Sequence, residues 1–268
     1  KGSAQNLAIF RIIAMLLVVS AHYGLLSDLT LENNIAGDNE RVPLPLTDWF
    51  VHALPVNETV YYAAVWLAIA CCLFGMVGLF TKWVLLLHIA LVLYIWGVPN
   101  FFGKLSHNQI LFWFPTILAF SRCGDAYSID SWWKGRKVDS VKQIEPATHY
   151  ALPLKFIWLL FAHIYLWAGV FKLWSAGLDW ALTDSMVNQM YLEWAEHFDS
   201  PPAFRIDRFP FLGHLAGMGT ICFELIFPLL LFSTKGRLVA ALGGVGLHAA
   251  VGYFMKIEFT TLQRFLVV

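Results

Sequence analysis

Charged side chains are scarce in this chain of 268 residues: they make up 13% of it, and their formal charges sum to zero. A soluble domain carries about a quarter of its residues as Asp, Glu, Lys and Arg. The low charge therefore argues against a soluble protein, and without a basic excess nothing indicates nucleic-acid binding. The composition is instead apolar, with 59% hydrophobic residues, 12 Trp and 22 Phe.

Cysteine is also sparse, with four residues in the chain. Cys71 and Cys72 are adjacent in one apolar run, Cys222 lies in another, and Cys123 lies in a basic loop. None has the spacing of a zinc-ligand motif, and none lies in a loop that we expect on the outer side. The sequence therefore predicts neither a structural disulfide nor a metal site.

Apolar runs long enough to cross a bilayer recur along the chain. The first is too long for a signal peptide and lacks a small-residue cleavage site, so we interpret it as a membrane span. The pattern predicts an all-α polytopic membrane protein, one transmembrane domain over residues 1–268, with seven to eight spans. Seven of these spans are predicted at about 7–26, 59–80, 83–99, 107–121, 153–174, 211–233 and 238–255, and a last apolar run begins near Thr260.

Basic residues concentrate in three connections: after the second span, between the fourth and fifth, and between the sixth and seventh. By the positive-inside rule these connections and the N-terminus are cytoplasmic. The long acidic loops then lie outside, where segments 43–57 and 179–198 are predicted to form short interfacial helices. The sequence thus predicts an integral multi-pass protein surrounded by membrane lipid, with its functional side extracytoplasmic.

One amine lies near the end of the fifth predicted span. An ionisable side chain within a span is costly, which makes Lys172 a candidate for function. Tyr165, Gly169 and Lys172 are spaced by three or four residues and share a helical face, whereas His163 is half a turn out of phase. A lysine near the end of a span can equally extend to the lipid headgroups, and this alternative stays open.

The predicted topology brings polar side chains of other spans to the depth of Lys172. His107 and Asn108 begin the fourth span, His248 lies towards the end of the seventh, and His22 towards the end of the first. Topology predicts depth but does not say which helices are neighbours. These residues are therefore candidates for the site. The alternative stays open, because histidines in spans are often simple interhelical hydrogen-bond partners.

Two further charges lie inside predicted spans, Arg11 in the first and Glu224 in the sixth. Arg11 either anchors the first span at the interface or pairs with Glu224, since an unpaired charge in a membrane is costly. We interpret such a pair as architectural rather than catalytic.

Four stretches, taken in order, resemble the membrane domain of vitamin K-dependent γ-carboxylases and of their bacterial relatives, the HTTM-domain proteins. They are Leu7-Ala-Ile-Phe-Arg-Ile, Ser106-His-Asn-Gln-Ile-Leu, Tyr165 followed by Ala168-Gly-Val-Phe-Lys-Leu, and Glu224-Leu-Ile-Phe-Pro-Leu. The chain departs from the eukaryotic members at Phe171, where they have a second lysine, and in ending at Val268, where they continue into a large luminal domain.

The resemblance implies a quinol-dependent peptidyl-glutamate carboxylase. It would use reduced vitamin K or menaquinol, with O2 and CO2 as co-substrates and no metal. Lys172 matches the family's proposed base, and His107 matches a histidine that helps to stabilise the resulting anion. We expect four further residues to bind the quinol, because their predicted depth is that of Lys172 and His107. They are Asn108, Tyr165, Gly169 and His248.

Other functions fit the same fold. One alternative is a non-catalytic member that binds a quinone or lipid, or that serves as an accessory subunit of a larger membrane complex. Another is a peptide-maturation factor. For the enzyme we expect a secreted peptide or protein substrate at the outer face, whereas a scaffold needs a broad apolar face and is indifferent to Lys172.

Overall fold

The computed structural model describes residues 2–27, 58–97, 108–135, 147–196, 201–257 and 259–266. Within these ranges every extended element is a helix, and an isolated bridge pairs Gly2 with Ala147. The all-α prediction is therefore confirmed. The α-helices are α1 (Ala4–Ser27), α2 (Glu58–Val77), α3 (Thr81–Val92), α4 (Ile110–Ala119), α5 (Ile129–Trp133), α6 (Thr148–Ala176), α7 (Asp179–Leu182), α8 (Ser185–Glu196), α9 (Pro210–Leu230), α10 (Thr234–Met255) and α11 (Thr260–Leu266).

Five of the described helices are long and apolar enough to cross a membrane: α1, α2, α6, α9 and α10. Two shorter apolar helices correspond to the third and fourth predicted spans. They are α3, which continues through one π-helical turn at Leu93–Gly97, and α4.

Of the two predicted outer helical segments, the structure describes only one. Segment 43–57 lies outside the described residues. Segment 179–198 was predicted as one amphipathic helix, but its described part forms two, α7 and α8. The helix breaks because Thr183 adopts an extended conformation after α7, and a new helix begins at Ser185.

The chain divides into two compact units, Lys1–Phe156 and Ile157–Val267, and the division falls within α6. In the first unit α1 packs on α2 and α4, and α3 packs on α2 and α4. Gly75 of α2 allows close packing, since a Cβ at this position would lie 3.3 Å from Leu85 and 3.5 Å from Met15.

Arg11 lies at the centre of the first unit and is fully buried. Its guanidinium donates hydrogen bonds to the carbonyl oxygens of Cys123, of Tyr127 at 2.6 Å and of Met76 at 3.4 Å. Met76 belongs to the end of α2 and the other two to the loop between α4 and α5. A guanidinium carries five N–H donors in a planar fork, so this one side chain links α1 to both segments.

Arg11 and Glu224, for which an ion pair was one of two alternatives, each have hydrogen-bond partners within their own unit. The Arg11 guanidinium bonds to main-chain oxygens, and the Glu224 carboxylate bonds to Lys172. The physical reason is that the turns after α2 and α4 direct carbonyl oxygens at Arg11. Those dipoles stabilise its charge through direct hydrogen bonds.

The same loop also fixes the start of α3. The Asp130 carboxylate accepts hydrogen bonds from the backbone N–H groups of Phe80 and Thr81, both at 2.8 Å, and from the Thr81 hydroxyl. Gly78, at φ 71°, approaches the loop so closely that a Cβ would lie 2.3 Å from the Ser128 side chain. This contact and the Asp130 cap hold the turn in place above Arg11.

In the second unit α9 is surrounded by α7, α8 and α10, and α10 also contacts α11. Glycine again brings helices close together. A Cβ at Gly169 of α6 would lie 3.0 Å from the Glu224 side chain, and one at Gly217 would lie 3.0 Å from the Ala181 backbone. The chain from α6 through α7 therefore runs antiparallel to α9.

Candidate functional site

The ammonium of Lys172 is bound by a carboxylate of the same unit. Lys172 Nζ lies 2.7 Å from Oε1 and 2.9 Å from Oε2 of Glu224. The side chains are 21% and 7% exposed, respectively. The ring of Trp180 lies 5.1 Å from the same nitrogen, within the range of a cation–π contact. The amine is thus held by one acid, flanked by one aromatic ring, and still partly accessible.

This contact sets the depth of Lys172 in the helical packing. Glu224 lies in α9 about 20 Å along the helix axis from Pro210, at 1.5 Å per residue. The chain beyond Lys172 continues along α9, because Ala181 of α7 still packs on Gly217. Lys172 therefore lies level with a point about two-thirds of the way along α9 from Pro210 rather than beyond its end. In this structure the amine binds Glu224 instead of extending out of the helices.

The helical face predicted for α6 is the face that packs on α9. Gly169 lies against the Glu224 side chain, one turn before Lys172, and Tyr165 is buried one turn earlier. His163, which was predicted to point away, is exposed, and its ring stacks with that of Trp167 at 6.3 Å.

A second polar pair lies on the same face of α6. The Tyr165 hydroxyl and His248 Nε2 are 2.8 Å apart, with both side chains buried. The Tyr165 ring stacks on Phe227 at 4.0 Å, and the His248 ring lies 4.7 Å from Phe259. Phe227 is one turn after Glu224, so the two polar pairs are neighbours along the α6–α9 seam. Tyr165, Lys172, Glu224 and His248 form what we call the seam site.

No match was found when the chain was compared with protein-family models, with curated proteins and with solved structures. The family resemblance therefore stays a prediction. The chemistry of the seam site has to follow from its own geometry.

Two of the predicted site residues are not part of the seam site as described. His107 lies outside the described residues. Asn108 belongs to the first unit, where its carbonyl oxygen accepts a hydrogen bond from the backbone N–H of Leu111 at the start of α4.

Sequence reasoning missed that Glu224 is the partner of Lys172. It found both charges but paired the acid with Arg11. A usable signal was the small residue Gly169, one turn before Lys172, which allows close approach of another helix. The aromatic contacts of Phe227 and Trp180 carried no signal of their own among so many aromatic residues.

The Lys172–Glu224 pair can exist in two protonation states of equal net charge. In one, an ammonium faces a carboxylate; in the other, a neutral amine faces a carboxylic acid. Moving the proton between Nζ and Oε1 requires no change in the total charge of the site, which matters where solvent is largely excluded. The pair can therefore present an amine with a free electron pair without releasing a proton to bulk water.

Proposed function

We propose that this chain is a multi-pass membrane enzyme of the quinol-dependent glutamyl carboxylase type, with Lys172 as the base. The observation that carries the proposal is the contact of Lys172 Nζ with both oxygens of Glu224 at 2.7 and 2.9 Å. We propose the full topology of seven to eight spans, with a cytoplasmic N-terminus.

Glu224 would act as the proton store for Lys172. Transfer of one ammonium proton to the carboxylate leaves a neutral amine, which a general base requires. When the amine then accepts a proton from the substrate, the pair becomes an ammonium and a carboxylic acid, and its single positive charge balances the negative charge of the anion formed from the substrate. The exposure of the Lys172 side chain, 21%, supports access of a substrate to the amine.

The aromatic side chains around the seam site fit a flat apolar ring such as that of a quinol. Trp180 lies on the Lys172 side, and Phe227 stacks against Tyr165. When bound, a quinol supplies a phenolic O–H and the reducing equivalents for reaction with O2. The Tyr165 hydroxyl, held by its hydrogen bond to His248, would orient the oxygen of the quinol. His107 would keep the anion-stabilising role that the resemblance implies.

The test is an assay of the purified chain with reduced menaquinone or vitamin K, O2, labelled CO2 and a glutamate-containing peptide. We expect quinone epoxide and labelled peptide from the wild type and from Lys155→Ala, a change at an exposed lysine of the same helix. Lys172→Ala should give neither product. If the wild type binds the quinol and forms neither product, the enzyme proposal is wrong.

Glu224 provides a second test of the mechanism. Glu224→Gln keeps the shape of the side chain but removes its ability to accept a proton. We expect this variant to bind quinol and to lose epoxidation. Full epoxidation by Glu224→Gln would show that the acid does not serve the base.

A non-catalytic role as a quinone- or lipid-binding or accessory subunit is the second candidate. It is favoured by the same ion pair, because a lysine already satisfied by a carboxylate can act simply as a bridge between α6 and α9. Several aromatic side chains on these helices are also strongly exposed, including Trp174 at 86% and Phe211 at 75%, as a surface for lipid or partner helices requires. For this role the double variant Lys172→Met, Glu224→Leu should fold and keep quinol or partner binding.

A further inference from the structure

Three side chains that commonly bind metals meet inside the first unit. His22 of α1, Cys72 of α2 and His88 of α3 are each 0% exposed. Their ligand atoms all lie within 4.8 Å of one another. None of them takes part in the seam site, so the cluster needs an explanation of its own.

The two histidines already touch through the atoms that would bind a metal. Nε2 of His22 lies 3.0 Å from Nε2 of His88, with the ring centroids 5.2 Å apart. One Nε2–H donates to the other nitrogen, so this contact satisfies two of the four ring nitrogens. Both Nδ1 atoms are buried without a hydrogen-bond partner in the described part of the chain.

A hydrogen bond between the two rings is therefore a costly way to join α1 and α3, and it does not account for the buried thiol of Cys72 beside them. Buried polar atoms in proteins are nearly always hydrogen-bonded, because leaving them unsatisfied lowers stability. Two apolar side chains would join α1 and α3 without that cost. The Cys72 thiol adds a third metal-binding group, which a hydrogen-bonded pair of histidines does not need.

The spacing suits a single ion. Bonds of roughly 2.0–2.3 Å to nitrogen and sulfur put the ligand atoms of one metal about 3–4 Å apart. The Nε2–Nε2 distance of 3.0 Å is at the short end of that range, and the limit of 4.8 Å over all three atoms is slightly beyond it. Small side-chain rotations would therefore bring the three atoms around one centre.

Charge and ligand type select the ion. Thiolate and imidazole are ligands that suit Cu(I), Zn²⁺ and iron–sulfur clusters. A Cu(I) ion with one thiolate and two neutral imidazoles has zero net charge, which suits an apolar interior. Zn²⁺ with the same ligands would leave one positive charge buried and would lack the fourth ligand of its tetrahedral sites.

We propose that His22, Cys72 and His88 form a three-coordinate site for Cu(I). Binding releases the thiol proton of Cys72 to the solvent, and the thiolate bonds to the metal. The histidine whose Nε2 carries hydrogen changes tautomer, so that both rings bind through Nε2 and carry hydrogen on Nδ1. No oxidation or reduction is involved, because the ion binds as Cu(I).

X-ray absorption of the full chain loaded with Cu(I) in detergent micelles, under reducing conditions, tests the ligand set directly. We expect scattering from one sulfur and two imidazole nitrogens at a three-coordinate ion. A spectrum without sulfur, or one that fits only oxygen ligands, would overturn the proposal. This measurement needs no variant and so does not depend on a variant's folding.

Affinity supplies the second test, measured by competition with a colorimetric Cu(I) chelator. Cys71 is the matched control, because it is also buried, one position away, and outside the cluster. We expect Cys72→Ser to weaken Cu(I) binding by about 100-fold or more, beyond the range for losing an outer-shell partner, and Cys71→Ser to leave it unchanged. Equal binding by the two variants, or tighter binding of Zn²⁺ than of Cu(I) by the wild type, would refute the site.

Discussion

The two compact units each bury a cation, and they stabilise it in different ways. In the first unit Arg11 is 0% exposed and donates to three main-chain carbonyl oxygens. In the second unit Lys172 is 21% exposed and bonds to the carboxylate of Glu224. The hydrogen bonds of Arg11 in the described part of the chain go to neutral carbonyl groups, whereas Lys172 bonds to a group that can take its proton.

The difference leads us to treat Arg11 as a structural charge and to propose Lys172 as a reactive one. A guanidinium stays protonated in proteins, and its planar fork suits several fixed acceptors at once. It therefore serves to hold segments together. An amine beside an acid can exchange a proton with it and can be approached by a substrate, since part of its surface is open. This contrast is our reason for assigning chemistry to Lys172 and not to Arg11.

The largest effect should follow from removing the structural charge. Arg11→Met leaves the buried carbonyl oxygen of Cys123 and the part-buried ones of Met76 and Tyr127 without this donor, at about 1–3 kcal/mol each, so we expect the free energy of unfolding to fall by about 3 kcal/mol. Arg11→Lys should recover only part of the loss, because a single ammonium cannot reproduce the fork. Thermal unfolding of the purified chain in detergent micelles measures both.

Arg122 is the matched control for that experiment. Its side chain is 56% exposed and pairs with Asp125 at the surface, so Arg122→Met should change stability by less than about 1 kcal/mol. If Arg11→Met were as mild as Arg122→Met, the carbonyl contacts of Arg11 would not be holding the first unit together.

The next effect concerns the ion pair of the seam site. Lys172→Met and Glu224→Leu each leave a charge without its partner in a site that is mostly buried. We expect each to cost about 2–3 kcal/mol, less than the 3–5 kcal/mol of fully buried pairs because the amine is partly solvated. The double variant should be more stable than either single one, since it buries no charge.

Denaturant unfolding of the four proteins gives the coupling energy of that pair. Losses that add to within about 0.5 kcal/mol would mean that the two side chains do not interact. A stable double variant that has lost epoxidation would sharpen the contrast with Arg11, because the charge would then serve the reaction and not the fold.

A smaller effect tests how closely the second polar pair is fitted. A Cβ at Gly244 of α10 would lie 2.8 Å from the Tyr165 hydroxyl, which bonds to His248. We expect Gly244→Ala to displace that hydroxyl and to lower stability by about 1–3 kcal/mol, as overpacking does. Thermal unfolding measures the loss, and quinol binding measures the consequence for the seam site.

Gly246 of the same helix is the control. A Cβ there meets nothing within 4 Å, so Gly246→Ala should stabilise α10 by up to about 1 kcal/mol through helix propensity. Opposite signs for the two substitutions would identify the close contacts at Gly244 as the cause, which are those with Tyr165 and, at the same 2.8 Å, with Leu266. A stabilising Gly244→Ala would contradict it.

The smallest effect comes from a third cation, which lies outside the membrane helices. Arg205 donates to both carboxylate oxygens of Asp207, at 2.8 and 2.6 Å, and lowers the pKa of Asp207 from its ordinary value of 3.8 to about 2. Because the folded-state pKa is the lower one, the contribution to stability is complete above about pH 4 and is lost as the pH falls through about 2.

We expect a modest acid-induced loss of stability over that interval, which Asp207→Asn should abolish. Thermal unfolding of both proteins between pH 5 and pH 2, read at about one-unit steps, tests this. An acid transition of unchanged size in Asp207→Asn would assign it to other carboxylates.

The helical class and the positions of the long apolar helices could be predicted from the sequence. α1, α2, α6, α9 and α10 correspond to predicted spans because the length of an apolar run is a local property. The face of α6 that carries Tyr165, Gly169 and Lys172 could also be predicted, since helical phase follows from the 3.6-residue repeat. Helix breaks were less predictable, as the extended residue Thr183 between α7 and α8 shows.

The contacts between helices in the seam site could not be predicted from the sequence. The residues Lys172, Tyr165 and His248 were selected from depth and resemblance, but the pairing of Glu224 with Lys172 was not. Depth along a span says how far a side chain lies from the membrane surface, whereas a contact also requires that two helices be neighbours and turn the right faces to each other. That information resides in side chains on several helices at once.

The amino-acid sequence by itself determined that the chain is helical and apolar and that a lysine shares a face with Tyr165 and Gly169. The tertiary structure decided that Glu224 binds Lys172 and that Cys72 lies with His22 and His88. The face on which a residue lies follows from the local 3.6-residue repeat of its own helix. The neighbours of that helix depend on how all the other helices pack.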